Sequence, residues 1–163
     1  MTINAALDYL ENTVKPTVQE FLNDKSNVRR ARLAAIVTYH VWDYLGVVGN
    51  RQFKEKTKPE HLLPDKHNQL MIQTVRAAAD ASKHFNLEFK HVATHADQVV
   101  AEESPGLFGA PFGEGIFAEA NEVHLVLDTA EQIEYGCHSV NLAVAVIFMV
   151  KYWECRLQEL QSQ

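Results

Sequence analysis

The chain has 163 residues, 47% of them hydrophobic and 22% charged, with a formal net charge of −6. This composition supports a buried core and excludes a disordered chain, and the length suits a single domain spanning 1–163. The excess of acid disfavours RNA or DNA held by bulk electrostatics and leaves a local basic patch at Arg51, Lys54, Lys56 and Lys58.

Ile3, Leu7, Leu10, Val14, Val18 and Phe21 recur at spacings of three and four and predict an amphipathic helix. Pro16 falls inside it. An interior proline lacks the N–H that the helix needs and clashes with the preceding turn, so a kink or a break is expected there. The first residues carry neither a basic flank nor an apolar signal core, which points to an intracellular, cytoplasmic chain. A second helix is expected from about Asn27 to Leu45, with Asn27 as its N-cap and Gly46 or Gly49 as its end. Gly49 to Pro64 is polar, contains two prolines and reads as a loop.

Asp65 follows a proline and precedes a periodic segment, so it caps a third helix that should continue to about Phe85. The apolar side of that helix is Met71, Val75, Ala78, Ser82 and Phe85. Glu88 to Thr94 is rich in strand formers, and glycines 106, 109, 113 and 115 make a loop. Within it, Gly113 to Ala118 fits G-x-G-x-x-A, but a dinucleotide site needs that motif between a strand and a helix, so no cofactor is assigned.

Glu122–Leu127 and Gln132–Tyr135 flank Asp128–Glu131 as the two strands of a hairpin. A last helix runs from about Ser139 to Leu160 and is apolar nearly all round in its first half, as a central helix of a bundle would be. Its run Leu142–Val150 is much shorter than the ~20 residues of a membrane span. The expected fold is therefore α+β: mainly a helical bundle, with a small antiparallel hairpin or sheet between the third long helix and the buried C-terminal one. Cys137 and Cys155 have neither disulfide-framework nor metal spacing and read as buried free thiols.

The most suggestive residues are Arg76, Asp80 and His84, which at i, i+4 and i+8 stack on one helical face with Gln73. A cation, a carboxylate and an imidazole in register can orient a general base. The same stripe can equally be a solvated row of ion pairs, each worth about 0.2–0.5 kcal/mol. Alanines 77, 78, 79 and 81 keep the helix slim enough for a close neighbour. On the second helix His40 shares the apolar face of Leu33, Ile36, Val37 and Tyr44, so its ring nitrogens need partners. Those partners are Tyr44 or backbone, or else Asp80 or His84 across a helix contact. His40, Asp43, Asp80 and His84 would suit zinc or iron chemically, but their spacings are not a specific metal signature and no metal is assigned. Ser82 lies about 160° around the helix from His84, which excludes a local Ser–His pair.

Thr38-Tyr39-His40-Val41-Trp42-Asp43-Tyr44 and Ala79-Asp80-Ala81-Ser82-Lys83-His84-Phe85 resemble segments of small uncharacterised bacterial proteins. In those proteins an aromatic-His-x-x-Asp segment on one helix precedes an (Asn/Asp)-Ala-Ser-Lys-His segment on another. Pro111-Phe112-Gly113-Glu114-Gly115 carries a weaker echo. The resemblance implies a bacterial source and no particular activity. More loosely, the chain is similar to the HEPN helical domains, many of which are dimeric ribonucleases. Their arginine and histidine stand closer together, whereas seven residues separate Arg76 from His84 here. That similarity implies His84 as base for a ribose 2′-hydroxyl, Arg76 as stabiliser of the phosphorane charge, Asp80 as orienting group, and pairing of two sites in a dimer.

Three functions are thus compatible with the sequence. The first is a non-catalytic module, expected to be a homo-oligomer or to bind an unidentified protein partner. The second is a HEPN-like, metal-independent endoribonuclease using Arg76 and His84. The third is a metal-dependent helical hydrolase using His40, Asp80 and His84.

Overall fold

The computed structural model describes residues 3–48, 65–87, 92–103 and 121–162. Its architecture is α+β: a mainly helical body with a small three-stranded antiparallel sheet. Among the described residues no helix is long and apolar enough to cross a membrane.

The first helical run places Ala6, Leu10, Val14, Val18 and Phe21 in the core. It comprises α1 (Asn4–Tyr9), a π-helical segment (Leu10–Val14) and α2 (Lys15–Leu22). The α-helix is thus interrupted just before Pro16 by a π-helical segment, while the helical run as a whole continues through the proline. Lys15 N–H reaches back to the Leu10 carbonyl, an i→i−5 bond that widens the turn, and Pro16 falls in the first positions of α2. A proline is tolerated where the helix needs no N–H from it.

The next helix, α3 (Val28–Val48), is capped as expected, with Asn27 Oδ1 accepting from Arg30 N–H at 3.1 Å. It runs through Gly46, which does not end it, while Gly49 lies outside the described residues. The expected loop at 49–64, its basic patch and the glycine loop at 106–115 also lie outside them.

The following helix, α4 (Lys66–Ala81), starts at the expected cap, where Asp65 Oδ1 accepts from Asn68 N–H at 3.0 Å. It stops four residues before the expected end at Phe85. Ser82 Oγ donates back to the Ala78 carbonyl at 2.9 Å, and the chain then opens into pairing with residues 94–96. Leu87 N–H donates to the Thr94 carbonyl, and Ala96 N–H to the Phe85 carbonyl, both at 2.9 Å. These bonds need extended backbone and override the local helical preference, leaving Phe85 66% exposed instead of in the core. The core side of α4 is also wider than one stripe, with Leu70, Ile72, Thr74, Val75, Ala77, Ala78, Ala79 and Ala81 all buried. The cause is its position, packed against both α3 and the C-terminal helix α6 (Leu142–Gln161).

The sheet has the order β1–β2–β3, all antiparallel, from β1 (Val99–Glu103), β2 (Asn121–Val126) and β3 (Ser139–Asn141). β2 matches the expected first strand. The expected second strand is instead part of a helix, α5 (Thr129–Tyr135), so β2 and β3 are joined by a helix and not by a tight turn. Asp128 precedes α5 and Gly136 follows it at φ +69°, bracketing a run of good helix formers. β1 was not anticipated. Of the stretch expected to favour strand, 88–91 lie outside the described residues and Val92–Thr94 form no strand.

Paired residues share a face of the sheet. Val99, Val123, Leu125 and Val140 are buried toward the helices, while Val100, Glu102, Glu122, His124, Ser139 and Asn141 line the other face. The last helix starts at Leu142, later than expected, because Ser139–Asn141 are drawn into the sheet. Its Trp153 is fully buried and donates from Nε1 to the Thr38 carbonyl of α3 at 2.9 Å. Cys137 is half-buried, and Cys155, expected in the core, is exposed on the outer side of α6.

Asn141 ends β3 and caps α6, accepting from Ala143 N–H at 2.9 Å and Val144 N–H at 3.2 Å. Its amide also donates to Glu122. Asn141→Ala should lower stability by about 1 kcal/mol, read as a fall in the urea midpoint at unchanged m-value.

Candidate functional site

α4 and the turn after it carry the polar residues singled out in the sequence. Arg76 Nε and Asp80 Oδ2 lie 3.8 Å apart, with side chains 25% and 29% exposed. They keep the expected i,i+4 register. His84 does not, because the helix has ended three residues earlier. It is exposed and tied to α4 by its backbone, whose N–H donates to the Asp80 carbonyl at 3.0 Å. The continuous Arg–Asp–His helical stripe is thus real over its first two members.

His40 faces the same region from α3. Its Nε2 lies 3.1 Å from the Lys83 ammonium. A lysine ammonium has donors but no acceptor, so this contact requires a neutral imidazole that accepts at Nε2 and keeps its proton on Nδ1. His40 thus meets Lys83, in the turn after α4, where Asp80 or His84 had been expected across a helix contact. Tyr44 is engaged elsewhere, stacked on Tyr9 with ring centroids 4.1 Å apart and planes inclined by 14°. Tyr39 and Trp42 meet edge-on at 6.1 Å. The aromatic segment around His40 therefore helps to seat α1 on α3.

Among the described residues no group of three or more His, Cys, Asp or Glu side chains comes together to hold a metal ion. The set His40, Asp43, Asp80 and His84 does not assemble into one.

A second polar cluster, not foreseen from the sequence, lies across the outer face of the sheet. Ser139 Oγ donates to Glu102 Oε2 at 3.2 Å and stands 3.0 Å from His124 Nδ1. Glu102 Oε2 is 3.9 Å from the same nitrogen, and Glu102 Oε1 is 4.0 Å from Nε2 of the exposed His138. A serine hydroxyl has one hydrogen; with that hydrogen given to Glu102, His124 donates from Nδ1 and leaves Nε2 as its second ring nitrogen. That Nε2 is buried without a partner among the described residues. A serine nucleophile needs an imidazole that accepts its proton, and the polarity here runs the other way. The cluster is therefore a polar strap across three strands. Glu122, directly opposite Glu102, is offset by Lys25 Nζ at 3.2 Å. The alternation Glu122, His124, Val126 was visible in the sequence; its partners were not, because β1 and β3 were not recognised as strands.

Comparison with known protein families, with curated proteins and with solved structures finds no match for this chain.

The phenol of Tyr9 is pushed up to about 12 from its ordinary 10.0, first by burial and then by the neighbouring Tyr44 and Asp43. The folded chain thus holds this proton more tightly than the unfolded chain. The resulting stability is complete below about pH 10 and is lost as the pH rises toward about 12. Tyr9→Phe should flatten that decline, measured as melting temperature against pH across this window.

Proposed function

We propose that this chain is a non-catalytic oligomerisation or partner-binding module. One observation carries the reading. Between α2 and α6, Val18, Leu22, Ile147 and Val150 line an open groove of about 380 Å³ with Lys15, Gln19, Lys151 and Glu154 beside them. Lys15 Nζ bridges the two helices, 2.8 Å from Glu154 and 2.5 Å from Glu11. One turn before Ile147, Val144 is 56% exposed. Apolar surface left in water is worth about 25 cal/mol per Å² when covered, so such a groove favours association. Its floor comes from two helices already fixed in the core, so it needs little ordering to receive a partner.

Sedimentation velocity across a wide concentration range tests this. The wild type should associate, and Leu22→Glu should shift it toward monomer while its circular dichroism spectrum is unchanged. The ribonuclease similarity makes a different demand: metal-independent RNA cleavage lost in both Arg76→Ala and His84→Ala. Finding that cleavage would replace the association reading.

A further inference from the structure

We propose that the α2–α6 groove receives α5 of a second copy of this chain, with Ile133 as the inserted side chain. The inference rests on the association reading above and names the occupant.

The two surfaces complement each other. α5 buries none of its residues, and its Ile133 is 80% exposed, more than any other large apolar side chain described. Thr129 and Ala130, four and three residues earlier, share its face and are exposed and small. The helix therefore presents a single apolar knob on a narrow shoulder, and the groove offers an apolar floor of matching character.

Charge runs in the same sense. α5 carries Glu131 and Glu134 and no basic residue. Glu134 lies about 100° around the helix from Ile133. At the groove, Lys151 is exposed and in no ion pair among the described residues, whereas Lys15 is already paired with Glu11 and Glu154. Glu134 is now 3.2 Å from Lys66, with side chains 48% and 70% exposed. Such solvated pairs hold little energy, so Glu134 can exchange Lys66 for Lys151 at small cost.

Knob and groove are different surfaces. α5 is tied to α4 through Lys66–Glu134 and through Tyr135 Oη, 3.5 Å from Gln73 Oε1, whereas the groove belongs to α2 and α6. Each copy therefore gives a knob and receives one, either reciprocally in a two-fold dimer or head to tail. Head-to-tail contacts close into a ring or continue as an open chain.

The separation of knob from groove gives a decisive mixing experiment by sedimentation velocity. Ile133→Asp removes the knob and Leu22→Glu spoils the groove. Each alone should weaken association about tenfold to a hundredfold, the scale expected for losing one buried apolar side chain. Mixed in equal amounts, the two variants should form a 1:1 dimer and nothing larger, since one intact knob and one intact groove remain. If Leu22→Glu lowers the melting temperature, Lys151→Glu, at an exposed site, takes its place. Association lost in the groove variant but retained in Ile133→Asp overturns this contact and leaves the association reading standing. A mixture that stays monomeric also overturns it. A wild type that is monomeric at every concentration overturns both.

Discussion

The fold depends on the burial of one slim helix. α4 lies between α3 and α6, and four of its last five residues are alanines with no more than 4% of their surface exposed. Alanine costs no side-chain entropy on burial and lets neighbouring helices approach toward the short end of the 8–10 Å range. Around this contact α3 contributes Ala31, Ala34 and Ala35, while α6 contributes Ala145, Val146, Met149 and Trp153. Larger residues at the alanine positions would force the three helices apart, and the Trp153–Thr38 hydrogen bond spans that same packing.

The sheet is positioned by this helical body. Its apolar face packs on α3 and α6, and Arg32 of α3 donates to the Ala96 carbonyl at 2.8 Å just before β1. The polar face is held by side chains where three short strands offer few backbone bonds. Ser139 links Glu102 to His124, Asn141 links β3 to Glu122, and Lys25 offsets one of two facing carboxylates. This explains why a serine, a histidine and a glutamate converge without the polarity of a nucleophilic site. Their hydrogen bonds run toward the carboxylate and consume the serine proton.

The same economy of burial leaves two features outside the core. α5 arises because the chain must pass from β2 to β3, and it does so on the surface, held by Gln132 Nε2 on the Leu127 carbonyl and by contacts to α4. The groove lies between α2 and α6 beside the Lys15–Glu154 bridge. Neither feature alone specifies a partner. The proposed contact with a second copy rests on the two together: the exposed Ile133 of one and the apolar floor of the other.

The sequence by itself determined the helices whose signals are local and strong. Asn27 and Asp65 cap where expected because an N-cap needs a side-chain oxygen at one position and nothing remote. The periodic burial of Leu10, Val14, Val18 and Phe21 was legible for the same reason. Only tertiary structure decided the rest. α4 ends at Ala81 because residues 85–87 pair with 94–96, a contact no window of neighbouring residues contains. The segment Gln132–Tyr135 is helical because β3 lies further on, and β1 is a strand because β2 supplies its partner. The candidate site divides in the same way: Arg76 and Asp80 are one helical turn apart and could be read in advance. His40 meeting Lys83, and Glu102 meeting His124 and Ser139, depend on long-range packing, where the free energy of distant contacts outweighs local preference.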